Sequence, residues 1–189
     1  MSKAVPLHPE TPMFRPLLAI VMLFFALALS ATTLPNRPVQ TLDLARYSGR
    51  WHEIAHLPTF FQRRCLDAVI ATYTPNPDGS IHVHNTCRTR DGIKVAEGVA
   101  KIETGRPGAF KVRFAPAWLT WLPQAWFDYW VIDVDADYQW AVVGGPGRKR
   151  LWILARKDSM DRVLFERIRE RARQRGYPVD QLVMMAPLD

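Results

Sequence analysis

The sequence predicts an all-β protein: an eight-stranded antiparallel up-and-down barrel with a C-terminal α-helix packed on the outside. Three observations carry this. Eight short segments rich in β-branched and aromatic residues follow one another at close spacing. Turn sequences separate them and no helical segment intervenes, which argues against parallel crossover units. The apolar period changes to i, i+3, i+4 only after the last of them. Closing such a set of strands on itself removes the sheet edges.

Ahead of the strands, residues 1–30 read as a leader. Leu17 to Leu29 is an unbroken apolar run preceded by Arg15. It suits a signal-peptide core and falls short of the roughly 20 residues a membrane-spanning helix needs. Small residues at Ala28 and Ser30 place the expected cleavage before Ala31, and Met13 is an alternative start. The chain is therefore expected to be exported, and periplasmic or outer-membrane associated. No cysteine lies near Ser30, so no lipid anchor through an N-terminal cysteine is expected. Residues 31–41 are polar and proline-containing and read as an arm. Residues 42–189 form the expected barrel domain, a size that supports one sizeable core.

The strands follow in order. Trp51–Leu57 alternates modestly, and Leu66–Pro75 is dense in β formers. Asn76-Pro77-Asp78-Gly79 is a tight turn, so Ser80–Arg88 returns as a hairpin partner. Asp91-Gly92 turns again into Ile93–Glu103. Gly105 to Gly108 breaks that strand, and Ala109–Pro116 follows. Next come Asp128–Asp135, Tyr138–Gly145 and Leu151–Lys157. The helix is capped by Asp158 or Ser159 and buries Met160, Val163, Leu164, Ile168 and Ala172. Gly176 is the expected residue just past its end, with Pro178 beyond. Arg162, Arg167, Arg169, Arg171, Arg173 and Arg175 crowd the rest of its surface and read as a solvated face. Attraction to anionic lipid is the alternative reading.

Period two assigns side chains to faces. Lys111 and Arg113 must face water, so Phe110, Val112 and Phe114 face in. Ile81, Val83 and Asn85 face in, while His82 and His84 face out. Asp133 and Asp135 are assigned to water, which turns Trp130, Ile132 and Val134 inward. Trp152, Leu154 and Arg156 share a face. An interior of this kind, aromatic and aliphatic with an occasional polar group, suits an apolar ligand with a modest polar anchor. Trp118, Trp121, Trp126 and Phe127 crowd the loop from Ala115 to Phe127 and suit an apolar lip or lid, with membrane-surface contact as a further option. The expected ligand-lining residues are therefore Val83, Asn85, Phe110, Val112, Phe114, Trp118, Trp121, Trp130, Ile132 and Leu154.

Cys65 and Cys87 are the two cysteines, and an exported chain favours a disulfide between them over a metal site. No metal and no cofactor are expected. The net charge of +7 is mostly dispersed, so nucleic acid is not an expected partner. His52 and His56 lie at even spacing on the first strand, but no nucleophile with an orienting carboxylate accompanies them.

The order of motifs resembles the lipocalin family. Gly49-x-Trp51 is similar to its first motif, Asp133 to Gly145 ("DVDADYQWAVVGG") to its second, and Arg156 to its third. The resemblance runs from about residue 42 to 187 and is greatest to the bacterial outer-membrane lipoproteins of the family, with apolipoprotein D as an animal relative. It implies a calyx that binds and stores or transports a small hydrophobic molecule in the bacterial envelope, such as a fatty acid or lysophospholipid, without catalysis. Gly49, Trp51 and Arg156 then carry structural roles, with Trp51 closing the narrow end and Arg156 stacking over its indole. The alternatives are a lipocalin-type enzyme using Cys65 and a membrane-surface stress protein. The chain is expected to act as a monomer or homodimer.

Overall fold

A computed structural model describes residues 33–189. The leader assigned to residues 1–30, and the alternative start at Met13, lie outside the described residues. Strands β1 (Gly49–His56), β2 (Asp67–Pro75), β3 (Ile81–Thr89), β4 (Gly92–Glu103), β5 (Arg106–Arg113), β6 (Phe127–Val134), β7 (Trp140–Gly144) and β8 (Trp152–Ala155) pair antiparallel in chain order. β1 pairs with β8 on one side and with β2 on the other, so the sheet closes into the eight-stranded barrel the sequence predicts. A two-residue β9 (Val183–Met184) adds to β1 near its end. One expected boundary moves: β5 begins at Arg106, so only Thr104 and Gly105 form the break.

The chain enters β1 through a single helical turn, α1 (Leu44–Tyr47), capped by Asp43. Gly49 follows at φ +89°, a conformation that disfavours any residue with a β-carbon. That turn delivers Trp51 to the barrel axis, where it is fully buried and donates from Nε1 to the Tyr47 carbonyl at 2.7 Å. The polar arm is not a free linker. Val39 donates to the Val131 carbonyl, Leu34 to that of Gln174, and Asn36 to that of Gly145.

Two cores result. One fills the closed end of the barrel around Tyr47, Trp51, Tyr73, Phe110 and Val143. The other lies between the barrel wall and α2 (Arg162–Gln174), with Ile54, Ile132, Ile153, Phe165 and Ile168 at its centre. Asp161 caps α2, accepting from the Leu164 amide at 2.8 Å, rather than Asp158 or Ser159. Gly176 takes the left-handed position past its end, with Gly176 N–H bonded to Arg173 and Tyr177 N–H to Ala172. The buried stripe differs from the expected one by one residue. Phe165 packs inward and Val163 is 66% exposed, because the docked stripe runs through Phe165, Ile168 and Ala172 and Val163 falls off it.

A bulge in β6 overturns part of the face assignment. The register shifts between Val131 and Asp133, so Ile132 and Asp133 both point towards α2 while Tyr129, Val131 and Val134 pack on the inside. Trp130 and Ile132, expected inside, belong to the outer core, and Arg106 covers the Trp130 ring. Asp133, expected in water, is 8% exposed and holds α2 to the barrel. Arg171 donates to both its oxygens, at 2.7 and 3.0 Å, and Arg175 lies 3.3 Å away. Arg169 and Arg173 pair with Glu166 and Glu170 on their own helix. Much of the arginine cluster is thereby spent within the protein.

Replacing Asp133 with Ala leaves the largely buried Arg175 without its counter-charge. We expect a loss of about 2–4 kcal/mol, measured by urea denaturation. A change under about 0.5 kcal/mol would show that the pair is not what docks the helix.

Candidate functional site

The barrel is sealed at one end and open at the other. At the sealed end Arg156, leaving β8, lies with its guanidinium 3.7 Å above the Trp51 ring. It donates to the carbonyls of Arg50 at 2.7 Å, Arg46 at 2.5 Å, Ser48 at 3.0 Å and Tyr138 at 3.2 Å. Desolvation holds its pKa below the usual value, yet the donors stay charged at any ordinary pH.

Above this plug is a cavity of about 750 Å³. Of the residues assigned to ligand contact, Val83, Asn85, Phe110, Val112, Phe114 and Leu154 lie on its wall. Trp118 and Trp121 do not. They stand on the loop between β5 and β6, 72% and 75% exposed, beside the opening rather than over it. The lid is formed instead by Phe60, Phe61 and Gln62 from the loop after β1, and by Gln124 and Ala125 from the loop after β5. Trp130 and Ile132 are outside, as the β6 bulge requires.

The cavity wall is mostly apolar, and its polar groups fall into three places. Lys94 and Arg150 line the wall on the side of the opening. Midway, Glu53 is buried and accepts from Gln62 Nε2 at 3.0 and 2.9 Å, with His56 Nδ1 against the same carboxylate at 2.5 Å. Gln62 Oε1 in turn accepts from Thr59 and from Trp152 Nε1, each at 2.9 Å. This network accounts for His56 as the buried partner of Glu53 on the same strand, while Gln62 ties the opening loop to β1 and β8. Asn85 Oδ1, in contrast, is buried with no hydrogen-bond partner among the described residues. Deepest, next to Trp51, the hydroxyls of Tyr47, Tyr73 and Tyr129 meet. Tyr129 is central, 2.7 Å from Tyr47 and 2.8 Å from Tyr73.

Sequence reasoning missed these three tyrosines. Tyr129 alternates with Phe127 and Val131, so starting the period at Phe127 finds it. Tyr73 and Tyr47 lie on β2 and α1, and nothing local links them to Tyr129.

Cys65 and Cys87 form a disulfide that pins the opening loop to β3, so no thiol is available for the Cys65 enzyme alternative in this state. His82 and His84 face outward, where Glu97 on the neighbouring strand lies within 2.7 and 2.5 Å of them. They hold a carboxylate between strands, and no metal-competent cluster occurs among the described residues.

A closed antiparallel barrel with a sealed floor, an apolar interior and a single outer helix defines a class of small-molecule-binding calyx. Residues 42–187 match the family described as the lipocalin-like domain, and the chain belongs to that family. It is 37% identical over 147 residues to temperature-induced lipocalin-1 of Arabidopsis thaliana, covering 76% of this chain and 78% of that one. To the outer membrane lipoprotein Blc of Escherichia coli K12 it is 33% identical over 166 residues, covering 85% and 89%. Among solved structures, insecticyanin from the tobacco hornworm superposes with a TM-score of 0.61 at 20% identity, covering 81% of this chain and 85% of that one.

Burial raises the pKa of Tyr47, Tyr73, Tyr129 and Tyr177 above the ordinary phenol value. A pKa raised on folding adds stability below the unfolded value, about 10, and that contribution is lost as pH rises through the folded values. Stability is therefore expected to hold towards pH ~10 and fall above it. Absorbance of ionised phenol should appear in step with unfolding, followed by circular dichroism. Smooth ionisation of all the tyrosines in a folded protein would contradict their burial.

Proposed function

We propose that this protein binds and stores or carries a fatty acid or lysophospholipid without chemically altering it, the hydrocarbon chain lying in the barrel. The observation that carries the reading is the apolar cavity, open at one end and lined there by Lys94 and Arg150. An apolar chain gains by leaving water for that wall, and the two cations suit a carboxylate or phosphate at the opening. The family supports a non-catalytic role, and the bridging of Cys65 to Cys87 supports it further. Placement in the cell envelope is supported by the name of the Escherichia coli relative as an outer membrane lipoprotein. No helix among the described residues is long and apolar enough to cross a membrane.

The test is native mass spectrometry of protein purified from its own envelope, together with tryptophan quenching by added fluorescent fatty acid. A co-purifying fatty acid or lysophospholipid and saturable quenching are expected. Ala100 lies on the cavity wall, and Ala100→Phe narrows the chamber. That variant should lose about tenfold in affinity while staying folded, its stability lowered by no more than the about 1–3 kcal/mol that overpacking costs. If neither lipid co-purifies and quenching is absent, the reading fails.

A second reading concerns the opening. Phe60, Trp118 and Trp121 are each more than 70% exposed there, and Arg63, Arg90 and Lys149 lie on the neighbouring loops. Aromatic side chains among cations suit contact with an anionic membrane surface. Sedimentation with anionic liposomes should fall on changing Trp118 and Trp121 to Ser and in high salt. Equal sedimentation with neutral liposomes would remove the electrostatic part of this reading.

A further inference from the structure

The hydroxyl trio next to Trp51 has more hydrogens than its own contacts can use. Tyr47, Tyr73 and Tyr129 each bring one O–H donor. Their two contacts, Tyr47 to Tyr129 and Tyr73 to Tyr129, consume two of the three hydrogens whichever way each bond runs. No other group among the described residues bonds to the three oxygens. At least one O–H must therefore be satisfied by whatever occupies the cavity, because all three residues line it. A hydrocarbon tail pressed against the trio strands that hydrogen, and an unmade bond in a buried site is unfavourable.

The electrostatics of this end select the kind of acceptor. Burial holds the three phenols protonated, and the nearby Glu53 carboxylate pushes Tyr73 further up. That field opposes a second negative charge. The closest guanidinium, that of Arg156, lies over Trp51 and is committed to four carbonyls. The cations on the cavity wall, Lys94 and Arg150, are on the side of the opening. A carboxylate or phosphate belongs there, and only an uncharged oxygen suits the deep end.

We propose that the cavity reads its ligand at both ends: an anionic head at the opening, and an uncharged hydroxyl or carbonyl oxygen on the buried part, bonded to the Tyr47–Tyr73–Tyr129 trio. The preferred ligand class is then an oxygenated long-chain acid or lysolipid rather than a plain saturated one. This rests on the lipid-binding function proposed above and specifies its substrate class. The discrimination comes from the site's own polar atoms, which a ligand lacking the oxygen leaves unpaired.

The test is tryptophan-quenching titration of the full chain with hexadecanoic acid and with a series of hexadecanoic acids carrying one hydroxyl, from mid-chain to the far end. In the unaltered protein one position in the series should bind about threefold to tenfold tighter than the plain acid. A variant with Tyr47, Tyr73 and Tyr129 all changed to Phe, checked by its thermal melt, should lose that advantage and hold the plain acid at least as well. Persistence of the preference in this variant overturns the assignment to the trio, since Asn85 is then the remaining anchor. If the triple variant does not fold, Asn85→Ala takes its place: it should keep the preference, and loss of the preference there overturns the assignment to the trio. Plain and hydroxylated acids of equal affinity overturn the two-ended site while leaving lipid binding intact. No binding of any member overturns both.

Discussion

Arg156 over Trp51 is the contact on which the rest of the structure depends. One side chain at the end of β8 collects carbonyls from three points around the start of β1 and from the turn between β6 and β7. Those segments are far apart in sequence, and each would otherwise present unpaired acceptors at the barrel's end. The guanidinium satisfies them and covers the indole face in the same stroke. With that end sealed, an interior too wide for its own side chains to fill can open at one end only. The cavity is a consequence of the plug.

The second constraint is where the strands break their own period. β1 shifts register between Glu53 and Ala55, and β6 between Val131 and Asp133. Each bulge sends two neighbouring residues to the same side. On β1 it turns Ile54 and Ala55 towards the outer core while Glu53 stays on the cavity wall. On β6 it supplies Ile132 and Asp133 to the helix. The barrel thus serves two cores from one wall. The outer one is anchored by an ion pair, the inner one is left partly empty.

That division also sets the polarity of the cavity. Cations stand at its opening, a buried hydrogen-bonded carboxylate holds the loop midway, and phenols lie at the bottom. Each suits a different part of an amphiphile. The disulfide from Cys65 to Cys87 holds the loop carrying Phe60 to Gln62 against β3, so the opening is shaped by a covalent tie as well as by packing.

Much of this was legible from residue order. Eight period-two segments with turns between them and a final 3.6-residue period carry the barrel and its helix, because alternation and turn chemistry are local properties. Gly49, Trp51 and Arg156 were legible as well through the motifs they form, and the cysteine pair through the oxidising compartment an exported chain meets. Six wall residues followed from strict alternation on β3, β5 and β8, where no bulge intervenes within the stretch that faces the cavity. Trp130 and Ile132 were misplaced because one extra residue in β6 inverts the faces beyond it, and Asp133 was read as solvated because its partners lie about forty positions later on α2. The meeting of Tyr47, Tyr73 and Tyr129 is decided only by closure. It joins α1, β2 and β6 across the barrel axis, and no periodicity within any one of them carries that distance.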